Sequence, residues 1–303
     1  MRRLFFIAGI CFLLVSLGRA ADPEHDQSDV PIEMQPPDAS WTKIVLVAGK
    51  PSHGPREHEY FAGCALLAQL LRQTPHVWPV IARDGWPTNP KTFENARSVV
   101  FFMNGGGNHF CLKEDHPKQI TKLAEQGVGL VNLHFTVEYP KEKSPFPLAW
   151  LGGYYEKDFS ANPMWHASFK ALPEHPITRG VRPFNILDEW YYNIRFVPEM
   201  KGVTPILVAT PPNAARQRFA EAKQHPGRPE VLAWTFERSN GGRSFGFTGL
   251  HYHDNWANPD FRRLIVNAVL WTAHLDVPSG GAPVAMASQD LHKHLDIKVA
   301  KKK

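Results

Sequence analysis

Residues 43–82 read KIVLVAGKPSHGPREHEYFAGCALLAQLLRQTPHVWPVIA. Two unbroken apolar runs, 43–48 and 77–82, flank a segment in which Tyr60, Phe61, Cys64, Leu67, Ala68 and Leu71 recur at helical spacing. Apolar runs without alternation mark strands covered on both faces, and strand, helix, strand is the unit from which parallel sheets are built. The same kind of run returns at 98–103 and 129–134, with a more polar helix predicted over 114–126 and Gly127 to stop it. Further strands are expected at 205–209, 231–237 and 244–251. Asn258 followed by Pro259 has the form of an N-cap and first helical position, opening a helix through Phe261, Leu264, Ile265, Ala268, Val269 and Trp271. Residues 41–278 are therefore read as one α/β domain, an open, mostly parallel sheet with helices on both faces.

The chain has 303 residues, 43% hydrophobic and 21% charged, a globular composition. Its formal charge of +5 sits at the two ends. Arg2, Arg3 and Arg19 supply three positive charges within residues 1–20, and residues 279–303 set five Lys against Asp290 and Asp296, which leaves the body near neutral. Such a distribution argues against a nucleic-acid partner. Residues 1–20 have the form of a secretory signal peptide: a basic start, an apolar run from Leu4 to Val15, and Gly18-Arg19-Ala20 before the cut. The run is shorter than the roughly 20 residues of a membrane span, so a secreted or periplasmic protein without a membrane anchor is expected. Residues 21–40, rich in Pro and acids, read as an extended leader, and 279–303 as a flexible basic tail. Cys64 and Cys111 remain after cleavage, and sequence alone leaves open whether they form a disulfide.

In open parallel sheets ligands bind beyond the carboxyl ends of the strands. Histidine recurs at four such places: His53 and His58 after the first strand, His109 after the third, His134 after the fourth, and His251 and His253 after the late one. Imidazole ligates a divalent metal ion when neutral and transfers protons near its unperturbed pKa. Glu57, Glu59, Glu138, Asp188, Glu189 and Asp254 are the candidate carboxylates. The candidate metal ligands are His53, His58, His134 and His251. His134, Glu189, His251 and His253 are the candidate catalytic groups, with His134 as base or ligand and Glu189 as its partner. Gly105 and Gly106, with Asn108 and His109, form a turn whose backbone N–H groups can meet a ligand, and Trp190 and Trp256 are candidate stacking surfaces for a sugar ring. Neither a dinucleotide fingerprint nor a nucleotide P-loop is present.

The segments Ser52-His53-Gly54-Pro55-Arg56-Glu57-His58-Glu59, Gly129-Leu130-Val131-Asn132-Leu133-His134, His175-Pro176-Ile177-Thr178-Arg179-Gly180, Ile186-Leu187-Asp188-Glu189-Trp190-Tyr191 and Gly246 to Trp256 together resemble the ThuA-like family of trehalose-utilisation proteins. The resemblance spans about Lys43 to Ala273. It implies a flavodoxin-like sheet related to class I glutamine amidotransferases, and a role in carbohydrate catabolism beside oxidoreductases that make 3-keto sugars. It does not imply amidotransferase activity, because the strand-to-helix turn that needs a nucleophilic Cys carries His134. The expected function is an enzyme acting on a small carbohydrate, a sugar or 3-keto-glycoside, by isomerisation or by eliminative or hydrolytic cleavage. A non-catalytic carbohydrate-binding module and a metal-dependent hydrolase of another substrate are the alternatives.

Overall fold

The computed structural model describes residues 22–217 and 225–299. The expected signal peptide and the terminal Lys301-Lys302-Lys303 lie outside the described residues. The strands are β1 (Thr42–Ala48), β2 (Val77–Ala82), β3 (Ser98–Phe102), β4 (Gly129–Leu133), β5 (Gly153–Tyr154), β6 (Met164–Phe169), β7 (Phe184–Glu189), β8 (Arg195–Phe196), β9 (Val203–Ala209), β10 (Glu230–Glu237) and β11 (Arg243–Phe247). Among the described residues the α-helices are α1 (Tyr60–Leu71), α2 (His116–Glu125), α3 (Pro145–Leu151) and α4 (Pro259–Thr272). Among the described residues no helix is long and apolar enough to cross a membrane.

Seven strands make the central sheet in the order β2-β1-β3-β4-β11-β10-β9. The pairs from β2 to β11 are parallel, and β10 runs antiparallel to both β11 and β9. From β1 the chain goes outward to β2 and then returns to the other side of β1 as β3. Strand order thus reverses at β1, and a crevice is expected at the carboxyl ends there. Two antiparallel ribbons, β5 with β8 and β6 with β7, lie outside this sheet.

The unbroken apolar runs follow from burial on both faces. In β1, Ile44, Leu46 and Ala48 join a core built with α1 and α4, whereas Val45 and Val47 face a second core built with α2 and α3. Cys64 belongs to the first core and Cys111 to the second, and both thiols are free and buried. The sheet separates them, so no disulfide joins them. The Asn258 side chain caps α4 by accepting from the N–H groups of Asp260 and Phe261, with Pro259 in the first turn.

Two segments differ from their compositional reading. The leader is docked: buried Glu33 accepts hydrogen bonds from the Thr88 and Asn89 N–H groups and the Thr92 hydroxyl, at 2.7, 2.5 and 2.9 Å. Residues 279–299 pack onto the body instead of trailing from it. Ala282, Val284, Leu291 and Leu295 are buried, Asn267 accepts from the Ala282 N–H, and Arg262 donates to the Val284 carbonyl. Ala282, Val284 and Leu291 join the core that includes α4, a placement that an average over composition conceals.

Gly180 marks one end of that contact. Its φ of +68° lies in the left-handed region, and a Cβ there would collide with the Gly280 carbonyl. Gly180→Ala is expected to lower stability by on the order of 2 kcal/mol, read as a lower urea midpoint. An unchanged midpoint would show that the terminal segment is not seated on the body in this way.

Candidate functional site

Four elements deliver side chains to one point beyond the carboxyl edge of the sheet. His58 ends the loop between β1 and α1, His134 follows β4 directly, Glu189 closes β7, and His251 lies just after β11. One ligand atom from each lies within 4.8 Å of all the others. His58 Nε2 is 2.9 Å from His251 Nδ1 and 3.1 Å from His134 Nε2. Glu189 Oε2 is 3.2 Å from His251 Nδ1 and 3.4 Å from His134 Nε2. The three rings are buried, and Glu189 retains 14% of its side-chain exposure, which leaves the carboxylate as the wetter side of the cluster.

The backbone is forced to produce this convergence. His53, Arg56, His58, His134 and Leu250 all hold positive φ, between 47° and 86°, a region that costs a residue with a side chain on the order of 1 kcal/mol or more. The compensation is local hydrogen bonding. The His58 N–H donates to the His251 carbonyl at 2.9 Å, tying two of the strained segments together. Asp188, fully buried, accepts from the N–H groups of Glu189, Leu250 and His251 and from the Asn255 amide, at 2.7 to 2.9 Å.

Hydrogen bonds on the outer ring nitrogens set the tautomers. His134 Nδ1 lies 2.8 Å from the Thr248 carbonyl, so it carries the proton and Nε2 turns a lone pair inward. The Tyr60 hydroxyl donates to Asn104 Oδ1 at 2.9 Å and therefore accepts from His58 Nδ1 at 2.7 Å, which leaves His58 Nε2 bare as well. Burial, reinforced by the neighbouring His134, His53 and His251 rings and by Lys298, pushes the His58 pKa well below the ordinary histidine range and keeps that ring neutral. Burial alone would raise the Glu189 carboxyl, but the His134 and His251 rings set against its Oε2 outweigh it and bring the pKa to about 2. Burial likewise opposes charge on His251, yet Glu189, Asp188 and Glu57 raise its pKa.

Two lone pairs thus face each other at 3.1 Å beside a carboxylate that stays ionised. A proton on His251 Nδ1 relieves only part of this, whereas a cation in the middle satisfies all four groups. Metal bonds of about 2.0–2.1 Å to imidazole or carboxylate place neighbouring ligand atoms about 2.9 Å apart in an octahedral site and about 3.4 Å apart in a tetrahedral one. The four short separations, 2.9 to 3.4 Å, span those values. Three imidazoles and a carboxylate are a donor set that suits Zn, Fe, Mn or Ni rather than Ca or Mg.

Of the metal ligands expected from sequence, His58, His134 and His251 meet, and Glu189 stands beside His134. His53 does not enter the cluster. Its ring stacks on His58, with centroids 3.6 Å apart, and is exposed at the mouth. His253 is also outside. β11 ends at Phe247, so His251 and His253 share no strand face, and His253 is buried near Arg56 and Lys298. Burial, then the Arg56 charge, bring its pKa to about 3.

The His109 ring is buried: its Nε2 bonds the Thr136 carbonyl and its Nδ1 accepts from the Cys111 N–H. Trp190 and Trp256 have 0% and 1% exposure, so neither offers a face to a sugar. At Gly105 a Cβ would collide with the Phe135 carbonyl, a close approach that explains this glycine by packing, and Gly106 lies against the Glu138 carboxylate. Asn108 is exposed beside them. Sequence reasoning passed over Tyr60 and Asn104, which orient His58, and the bonding role of Asp188. The strand-end rule pointed at Asn104, but nothing local to a Tyr in an apolar helix signals that its hydroxyl serves a ring.

A protein-family model described as ThuA, trehalose utilisation, matches residues 44–272. Among solved structures, a ThuA-like protein from Bacteroides uniformis is similar with a TM-score of 0.57 and 17% identity, covering 79% of this chain and 94% of that one. A ThuA-like protein from Parabacteroides merdae gives 0.54 and 16%, covering 84% and 99%. A glutamine amidotransferase from Thermotoga maritima gives 0.43 and 8%, covering 77% and 98%. For the two ThuA-like proteins the likeness is one of fold. None of the curated proteins matches.

Burial brings the His109 pKa down from 6.5 to about 4 despite its bond to Thr136. The folded protein therefore binds fewer protons than the unfolded chain between those values, so this contribution is complete at pH 7 and declines as pH falls from about 6.5 to 4. It amounts to about 3 kcal/mol at most. His109→Gln is expected to flatten the dependence of the urea midpoint on pH across that window. Equal slopes for the two proteins would show that His109 is not held neutral by burial.

Proposed function

We propose, from the premise that the chain belongs to the ThuA family, trehalose utilisation, that it is an enzyme of carbohydrate catabolism that holds a divalent transition-metal ion on His58, His134, His251 and Glu189 and acts on a 3-keto-glycoside. The observation that carries this reading is the pair of inward-facing Nε2 lone pairs on His58 and His134, 3.1 Å apart beside the Glu189 carboxylate. When bound, the ion supplies positive charge that polarises a carbonyl oxygen and so acidifies the adjacent C–H.

The remaining steps fall to the chain. Tyr60 and Asn104 keep the His58 lone pair inward, the Thr248 carbonyl does the same for His134, and Asp188 fixes the His251 and Glu189 backbones. Glu57 stands at the rim with 37% side-chain exposure. Its Oε2 accepts the Gly54 N–H at 3.0 Å and its Oε1 is 3.7 Å from His251 Nε2. In this reading Glu57 takes the proton from the carbon next to the keto group. In an isomerisation it returns that proton to the former carbonyl carbon while the adjacent hydroxyl proton passes to the former carbonyl oxygen; in an elimination the C=C bond forms as the glycosidic C–O bond breaks, and the departing oxygen takes the proton.

The alternative of a carbohydrate-binding module would need exposed rings for stacking, and Trp190 and Trp256 are buried. A cysteine nucleophile is disfavoured because burial pushes both the Cys64 and Cys111 thiols far above their ordinary pKa. We also place the mature protein outside the cytosol, on the basic and apolar leader of residues 1–20.

The test combines metal analysis of the purified chain with turnover of a panel of 3-keto-disaccharides, the unoxidised sugars and simple esters. About one ion per chain is expected, with turnover confined to keto sugars. His134→Ala and His251→Ala should each lose the ion and at least about 100-fold in rate. Wild-type rates in both variants would overturn the assignment, and turnover of esters alone would move it to another hydrolase class.

A further inference from the structure

Residues 291–298 reach the loop that carries His58. Leu291 accepts a hydrogen bond from Arg56 Nη1 at 3.0 Å, and the Asp296 N–H donates to Glu59 Oε2 at 2.9 Å. Lys298 goes further in. Its Nζ donates to the carbonyls of Glu57 and His58, at 2.5 and 3.2 Å, and lies 3.2 Å from Glu59 Oε1 and 3.8 Å from Asp296 Oδ2. The side chains of Lys298 and Glu59 are 3% and 1% exposed, so this is a buried ammonium placed against a buried carboxylate.

Two observations make the contact more than neutralisation. The carbonyls it grips belong to the residue before His58 and to His58 itself, and both Arg56 and His58 hold left-handed backbone that local packing must maintain. The same Glu59 accepts the Arg56 N–H through Oε1 at 2.9 Å, so Lys298 and Glu59 together pin the loop at both strained positions. The leader locks the strap from outside: Leu295 donates its N–H to the Glu24 carbonyl, and Gln27 donates to the Leu295 carbonyl and to Asp296 Oδ1.

We propose that Lys298 is a positioning residue for the candidate metal centre, and that the C-terminal strap completes that centre by holding the His58 loop in register with His134 and His251. The proposal rests on the metal reading given above. Lys298 touches none of the four ligand atoms; it acts through the backbone of His58.

The test uses the full chain with Lys298→Met, which keeps the length of the side chain and removes its donors. Asp296→Asn is a milder second variant that retains the strap's backbone bond to Glu59. Asn240→Ala serves as a stability control, because Asn240 holds a turn at the opposite edge of the sheet by donating to the Ala124 and Glu125 carbonyls. Two readouts are taken beside thermal melting. One is Co²⁺ affinity and the visible spectrum of the Co²⁺ form; the other is the set of histidine ring resonances in metal-free protein. Lys298→Met is expected to weaken Co²⁺ binding about 10- to 100-fold, the range typical of groups that orient ligands, to alter the Co²⁺ bands and to shift the His58 ring signals. Asp296→Asn should do the same to a lesser degree, whereas Asn240→Ala lowers the melting temperature alone.

Wild-type Co²⁺ affinity and unchanged ring signals in Lys298→Met would overturn the proposal. If Lys298→Met does not fold, Asp296→Asn decides by the same two readouts. If the wild-type chain binds no Co²⁺, the metal reading fails separately, and the ring signals still decide whether Lys298 positions His58.

Discussion

Everything at the carboxyl edge depends on one buried carboxylate. Asp188 accepts four N–H groups, two of them from Leu250 and His251 in the loop after β11, one from Glu189, and one from the Asn255 amide. Bonds from neutral donors to an ionised acceptor are stronger than neutral pairs, and here they join elements that no sheet pairing connects. The ribbon of β6 and β7 lies outside the central sheet, yet it supplies Glu189. Asn255 also donates to the Leu187 carbonyl of the ribbon, and Asp188 adds to that bond by gathering N–H groups from the ribbon and from the loop after β11. With it, a carboxylate from one substructure and an imidazole from another stand 3.2 Å apart.

Much of the architecture was legible because parallel strands write themselves plainly. Runs such as Ile44 to Ala48 have no polar alternation to confuse with a surface strand, and Asn258-Pro259 announces α4. The rule that ligands gather beyond strand ends led to His58, His134 and His251 from places far apart in the chain. What stayed hidden is the direction in which a side chain points after the strand stops. His53 and His58 are five residues apart around a loop with three left-handed residues, and only the second turns its nitrogen inward. His253 follows His251 by two positions, but the strand has already ended and the alternation no longer applies. His109 occupies a strand end and serves Thr136 and Cys111 instead. Trp190 and Trp256 show the same limit from the apolar side: an aromatic residue beside a polar motif reads alike whether it lines a mouth or fills a core.

The docking of residues 22–40 and 279–299 stayed hidden for a related reason. Composition averages over a segment, whereas docking depends on a few residues at the right spacing. Glu33 in the leader and Leu291, Leu295 and Lys298 in the terminal segment are such residues. Buried ion pairs are weak evidence for stability, because desolvation consumes most of the Coulomb gain. Their value lies in geometry, and the pair of Lys298 with Glu59 sits where two strained residues need an external hold.

The bond between the Leu295 N–H and the Glu24 carbonyl has a consequence for the order of assembly. It makes the two ends of the described fold neighbours, so the chain closes on itself like a belt, with the buckle beside the His58 loop. A ribosome delivers residues in sequence, amino end first. The central sheet has all its strands once β11 is out, yet the loop that carries His58 must wait about fifty residues more for its fastening. The sheet can then pair before that fastening exists, and the groups able to capture an ion would come together only after Lys298 has been made.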